Sequence, residues 1–389
     1  MNYDLVCVSH LRWDLVFQRP QHLMTRAAKG RKVIYWEEPV FAEDLPPHLE
    51  TRRDSGVLVA TPHLPTGLDE VQVGRMCRQM LDGLLADQAV ERFVLWMYSP
   101  MPLYYLGGLK PQAVVYDCMD ELANFRFAPP ILRQREKQLF ERADIVFTGG
   151  VSLYEAKCAQ NPNVHCFPSS VEVEHFAKAR RLLPEPHDLQ QLRHPRAGFY
   201  GVIDERMDLE LLDSCAERMP EVEFVLVGPL AKIDPSDLPE RPNLHFLGRK
   251  TYAELPAYLA HWDVALLPFT LNESTRFISP TKTPEYLAAG KPVVSTSIKD
   301  VVRPYGEAGV VYIANGPDAF CRALRKALSN DQQARQVRAD ALISGMSWDN
   351  TWQAMQRQLE RTIANKQTPT GTAPREAQHA PSLGKLSGK

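Results

Sequence analysis

Residues 279–296 read SPTKTPEYLAAGKPVVST. Thr283 is placed to cap a helix whose first residue is Pro284, where a missing N–H costs nothing. The helix runs through EYLAA and ends at Gly290, a residue suited to a left-handed cap. Pro292 forbids continuation, and VVS reads as a buried strand. The order is therefore loop, short helix, strand. Free N–H groups and a partial positive charge collect at the helix start, with Lys282 just before it, so the stretch is suited to hold an anion. Glu285 lies just inside the helix, where a carboxylate can accept from hydroxyls. Phosphate beside sugar hydroxyls points to a nucleotide-sugar. The plainer alternative stays open: Glu285 complements the helix dipole and Lys282 is solvated.

Outward from this stretch the same alternation continues in both directions. Upstream in the second half come AGFYG (197–201), EFVLVG (223–228), LHFLG (244–248) and VALLPF (264–269), and downstream VVYI (310–313). Helical patterns near 208–219, 252–260, 284–289 and 317–329 lie between them. The first half repeats the scheme with DLVCV (4–8), KVIYW (32–36), VLVA (57–60), FVLWM (93–97), AVVY (113–116) and DIVF (144–147). Its helical patterns fall near 20–29, 69–86, 130–142 and 152–160. Val-rich strands alternating with helices predict parallel sheets covered on both faces. A polar, Pro-containing interval, AKARRLLPEPHDLQQLRHPR (177–196), separates the halves.

The expected fold is α/β, with two doubly wound Rossmann-like domains and a site in the cleft between them. The boundaries are a first domain over 1–180, a linker over 181–196 and a second domain over 197–346. A final helix over 347–365 and a disordered tail over 366–389 complete the chain. The tail is polar and rich in Pro, Gly and Ser.

Composition narrows the function. The chain has 389 residues, 44% hydrophobic and 24% charged, with a net charge of −2. That balance gives no reason to expect nucleic-acid binding. No apolar run reaches the ~18–20 residues that span a bilayer. MNYDLVCVSH enters a strand at once and does not read as a signal peptide, so the expected location is cytoplasmic. The seven cysteines are scattered without a Cys-x-x-Cys pair, so neither a disulfide framework nor a zinc ribbon is supported, and Cys7, Cys118, Cys166 and Cys215 read as buried thiols. A dinucleotide fold needs glycines at the first strand–helix turn. Here SHLRWDLVFQRPQ has none, and FYGVIDERMD has only Gly201. Walker A, zinc-protease and nucleophile-elbow motifs are absent too. The histidines form no ligand cluster, so no metal is expected.

The order FYGVIDERMD, EFVLVG, NLHFLGRKTYAELPAYLAHWDVALLPF and SPTKTPEYLAAGKPVVST resembles the donor domain of retaining GT-B glycosyltransferases, glycosyl transferases group 1, family-four-like. FQRPQHLMTRAAKG and VVYDCMDELANF resemble a narrower bacterial subgroup, similar to glycosyltransferases of teichuronic-acid synthesis and those associated with UDP-galactopyranose mutase. The resemblance covers residues 3–345. It implies transfer of a sugar from a nucleoside diphosphate sugar, UDP-linked, to a saccharide or polyprenyl-linked acceptor in surface-polysaccharide synthesis. It implies no cofactor beyond the nucleotide-sugar cosubstrate, and peripheral contact with the inner membrane.

The resemblance also assigns residues. Glu285 would hold the ribose hydroxyls. Lys282, with the N–H groups of Thr281, Thr283 and their neighbours, would meet the diphosphate beside Gly201. Arg206 would be a basic diphosphate ligand. Asn272, Ser274 and Thr275 would approach the donor sugar, and Arg249 and Lys250 would flank the base. Arg206, Lys282 and Asp120 are the expected catalytic set. His10, Arg12 and Trp13, after the first strand, are assigned to the acceptor side. Three positions depart from the family pattern. Phe277 stands where a first glutamate is usual, Leu211 where a lysine is usual, and Met119 where a histidine is usual. On the resemblance, Lys282 would substitute for the lysine, and Asp117 or Asp120 would take over the histidine's sugar contact. A plainer role for Arg206 is pairing with Asp204 or Asp208. Two rival functions use the same seat: a UDP-sugar epimerase, and a non-catalytic nucleotide-sugar-binding partner protein.

Overall fold

The computed structural model describes residues 2–43, 46–329 and 332–367. Two sheets form from the two runs of apolar segments. The first contains β1 (Asp4–Ser9), β2 (Val33–Glu37), β3 (Val40–Ala42), β4 (His48–Asp54), β5 (Val57–Pro65), β6 (Phe93–Met97), β7 (Ala113–Cys118), β8 (Ile145–Thr148) and β9 (Val164–Cys166). Its order is β3-β5-β2-β1-β6-β7-β8-β9. All pairs are parallel except β4, which runs antiparallel to β5. The second contains β10 (Arg196–Tyr200), β11 (Glu223–Val227), β12 (Leu244–Phe246), β13 (Val264–Leu267), β14 (Val293–Ser295) and β15 (Tyr312–Ile313), in the order β12-β11-β10-β13-β14-β15.

Strands β2, β6, β7, β10, β11 and β13 are buried along their whole length. Helices cover both faces, which is why these strands are continuously apolar rather than alternating. In each sheet the order reverses beside the first strand, between β1 and β6 and between β10 and β13. Such a reversal splays the loops at the carboxyl ends apart and opens a crevice. The site lies where these two crevices meet.

Several sequence expectations are corrected. The hairpin of β4 and β5 was not foreseen; HLETRRD is polar because β4 lies at the sheet margin and is mostly exposed. The helix in the opening stretch spans Lys282–Ala288, with Thr281 at the N-cap. Lys282 is therefore its first residue, and Pro284 is its third. Gly290 does take the left-handed conformation, with φ of +80°. Helix Gln333–Ile343 was missed. The last helix, Trp348–Gln367, includes the first two residues of the expected tail; the rest of that tail lies outside the described residues. The helix buries Trp348, Trp352, Met355, Leu359 and Ile363 in the core of the first sheet. Cys166 is only half-buried, whereas Cys77 and Cys321 are buried.

Candidate active site

The cleft between the sheets encloses about 320 Å³, within the range of small-molecule sites. Its second-sheet wall is built on the ends of β10 and β11. Gly201 follows β10 with φ of +138°, and a methyl group there would lie 2.2 Å from Cε of Lys282. Glycine thus leaves the space through which the Lys282 side chain reaches the cleft. Lys282, Thr281, Glu285, Arg206 and Arg249 line this wall. Burial lowers the Lys282 pKa and Arg206 lowers it further, against the charges of Glu285, Asp204 and Asp120.

Glu285 is almost fully buried. Burial pushes its carboxyl up to about 7, against a hydrogen bond from Tyr200 and the charge of Lys282. The guanidinium of Arg206 forks onto Asp204, with Nη2 2.6 Å and Nε 3.0 Å from its oxygens. The plainer pairing foreseen for Arg206 is therefore present, yet Arg206 also lines the cleft. Burial opposes its charge, but the hydrogen bond and charge of Asp204, then Asp120 and Glu205, raise its pKa overall. The Phe125 ring centroid lies 5.0 Å from its central carbon.

Asp120 lines the opposite wall, with Met119. Burial lifts its pKa to about 6, against the charges of Arg206 and Lys282. Asp117 does not share the site. It is fully buried in a salt bridge with Arg19 at 2.9 Å, which ties the end of β7 to the helix Arg19–Ala27.

The structure does not bring every expected residue to the cleft. Thr283 is fully buried, and its N–H donates to the Pro280 carbonyl. Thr275 is buried and donates to the Thr270 carbonyl at 2.5 Å. Asn272 accepts from the N–H and hydroxyl of Ser274 and donates to Thr270. The Asn272 and Thr275 side chains satisfy their own loop rather than facing the cleft, whereas the buried Thr283 hydroxyl has no hydrogen-bond partner among the described residues. Lys250, by contrast, does line the cleft beside Arg249, and it is paired with Asp188 at 2.6 Å.

On the acceptor side, Arg12 turns to Glu37 and to the carbonyls of Glu38 and Pro39. Trp13 does line the cleft, but its indole N–H is held by Asp54 at 2.7 Å and its ring packs edge-on against Tyr35. His10 is outside the lining, and burial lowers its pKa to about 4, with help from Lys232. The loop Asp14–Gln18 lines the cleft instead, and Arg249 donates from the second wall to the Asp14 carbonyl. Tyr200, Tyr252 and Ser279 also line the cleft unforeseen.

Residues 195–330 match the family Glycosyl transferases group 1. That segment is a group 1 glycosyltransferase domain. The chain is also 27% identical over 291 residues to a Bacillus subtilis (strain 168) protein named as the teichuronic acid biosynthesis glycosyltransferase TuaH, across 70% of this chain and 68% of that one. Among solved structures, a sucrose-phosphate synthase from Thermosynechococcus elongatus superposes with a TM-score of 0.67 at 14% identity, covering 94% of this chain and 100% of that one. An α,α-trehalose 6-phosphate synthase from Burkholderia multivorans gives 0.65 at 15% identity, with the same coverage of each chain. A trehalose-6-phosphate structure from E. coli bound with UDP-2-fluoro glucose gives 0.62 at 14%, covering 92% and 99%. The fold is GT-B. No helix among the described residues is long and apolar enough to cross a membrane.

Proposed function

We propose that this chain is a retaining, metal-independent glycosyltransferase of surface-polysaccharide synthesis, taking its sugar from a UDP-linked donor. The carrying observation is the meeting of Lys282 and Arg206 with the buried Glu285 at the second sheet's reversal point. Glu285 accepts from the ribose hydroxyls. Lys282 and Arg206 hold the diphosphate. A protein of the same fold binds UDP-2-fluoro glucose, and the Bacillus relative is named for teichuronic acid synthesis; both support a UDP-sugar and a polymeric or lipid-linked acceptor.

In the reaction, the bond between the sugar C1 and the diphosphate oxygen breaks, and its electron pair leaves with the diphosphate. The acceptor oxygen bonds to C1 from the same face, and its proton passes to a diphosphate oxygen. The requirement is to stabilise negative charge growing on the leaving group. Two charge-assisted contacts of ~1.5–3 kcal/mol each supply a useful part of the barrier reduction. Asp120, on the other wall, contacts the sugar. The acceptor enters from the first domain, and a polyprenyl-linked acceptor brings the enzyme to the inner face of the membrane peripherally.

Calorimetric titration with UDP, GDP and NADH, with and without EDTA, tests the reading. UDP binding insensitive to EDTA and weakened about tenfold or more in Glu285→Ala and Lys282→Ala is expected. No nucleotide binding, or binding indifferent to both substitutions, overturns it.

A further inference from the structure

The dipeptide Gly149–Gly150 follows β8 and touches both walls of the cleft. A methyl group built on Gly149 would lie 2.6 Å from the carbonyl oxygen of Met119 and 2.8 Å from its Cα. The backbone just before Asp120 therefore rests directly on Gly149. A methyl group on Gly150 would lie 2.7 Å from Cβ of Ser279 and 2.3 Å from Oδ2 of Asp300. Ser279 begins the turn that carries Lys282. The φ of Gly150 is −165°, ordinary extended backbone, so space alone excludes a side chain there.

Asp300 completes the contact. Its Oδ1 accepts from the Ser152 N–H at 3.0 Å, so a carboxylate of the second domain sits at the start of helix Val151–Lys157 of the first. Lys299 and Arg303 both reach Glu155 on that helix. Elsewhere across the cleft, the Arg126 N–H donates to Glu205 at 3.0 Å and the Asn124 amide to the Glu273 carbonyl at 2.9 Å.

We propose that Gly149–Gly150 is a bare-backbone stop that sets how closely the two domains approach, and thereby the spacing between Asp120 and Lys282. The meaning of that spacing rests on the transferase reading; the stop itself does not. Both loops bearing the charged groups touch one dipeptide, so their separation is not set by the linker alone. Gly149 and Gly150 are positioning residues, acting through Met119 and Ser279.

The Arg126 amide lies on neither Gly150 nor its neighbours, yet its hydrogen bond crosses the domains. Its hydrogen exchange therefore reads closure, which a purely local role of Gly150 does not move. In Gly150→Ala the Arg126 amide is expected to exchange at least about fivefold faster, while amides inside β7 keep their protection. Asp300→Ala adds no bulk and removes the carboxylate from the contact, so it is expected to shift Arg126 in the same direction if Gly150→Ala does not fold. Unchanged Arg126 exchange in a folded variant of either kind overturns the proposal. UDP titration of the same samples separates the two claims. Loss of UDP binding in the unsubstituted protein defeats the transferase reading, whereas the exchange comparison needs no ligand.

Discussion

The phenolic oxygen of Tyr200 donates to Oε2 of Glu285 at 2.5 Å, and both side chains are buried. One carboxylate oxygen is thus committed within the protein, which leaves Oε1 to accept from a ligand. Tyr200→Phe removes the hydroxyl and keeps the ring. A hydrogen bond to a charged group is worth ~1.5–3 kcal/mol, and part of that is spent orienting Glu285. UDP affinity is therefore expected to fall about tenfold. The Tyr200 hydrogen bond also holds the Glu285 pKa down, so the pH midpoint of UDP binding is expected to rise. Titration from about pH 6 to about pH 9 reads both effects, and an unchanged midpoint contradicts the positioning role.

Glu285 also sets a pH dependence of stability. Its carboxyl rises from 4.5 to about 7 in the folded state. Between those values the folded protein holds a proton that the unfolded chain has lost, so stability falls as pH rises across that window. Glu285→Gln removes this cost and keeps an acceptor for Tyr200, although it forgoes the attraction of Lys282. The variant is expected to be more stable than the parent by ~1–2 kcal/mol near pH 8, with the gap closing near pH 4. Thermal melts at both pH values check it.

Arg206 and Lys282 are not equivalent cations. The Arg206 fork is oriented by Asp204 and leaves Nη1 outside that pair. Arg206→Lys keeps the charge but not the fork. Both Arg206→Ala and Lys282→Ala are expected to weaken UDP binding about 10- to 100-fold. Arg206→Lys is expected to recover less than half of the lost binding free energy. Full recovery in calorimetry would reduce Arg206 to a point charge.

Arg19 and Asp117 form a pair with 1% and 0% side-chain exposure. Asp117→Ala leaves a buried guanidinium without its carboxylate and is expected to cost ~3–5 kcal/mol. Replacing both partners with apolar residues is expected to recover most of that loss. Urea midpoints measure the cost. UDP affinity of the folded variant is expected to stay unchanged, since neither residue lines the cleft.

The sheets were legible because their strands are short, continuously apolar runs bounded by polar turns. β4 was not, since an edge strand such as HLETRRD buries little and carries no apolar pattern. Helix Gln333–Ile343 escaped for the same reason, with only Arg335, Ala339 and Ile343 buried. The helix in the opening stretch was displaced by two residues because proline suits any position of a first turn, not only its first residue. Within the site, Gly201, Lys282 and Glu285 stood out by residue type and position. Asn272 and Thr275 did too, but type does not say where a hydrogen bond goes, and both bond within their own loop. Tyr200 was invisible as a site residue, since an aromatic at the end of a buried strand reads as packing.

The last helix of the second half closes the core of the first through Trp348, Trp352, Met355, Leu359 and Ile363. On the ribosome, the first sheet therefore emerges early but lacks part of its cover until residues 348–367 have been made. The second sheet has every strand available before then. The half synthesised first is the half completed last, and a nascent chain stalled between them exposes the apolar face that Trp348 and Trp352 later seal.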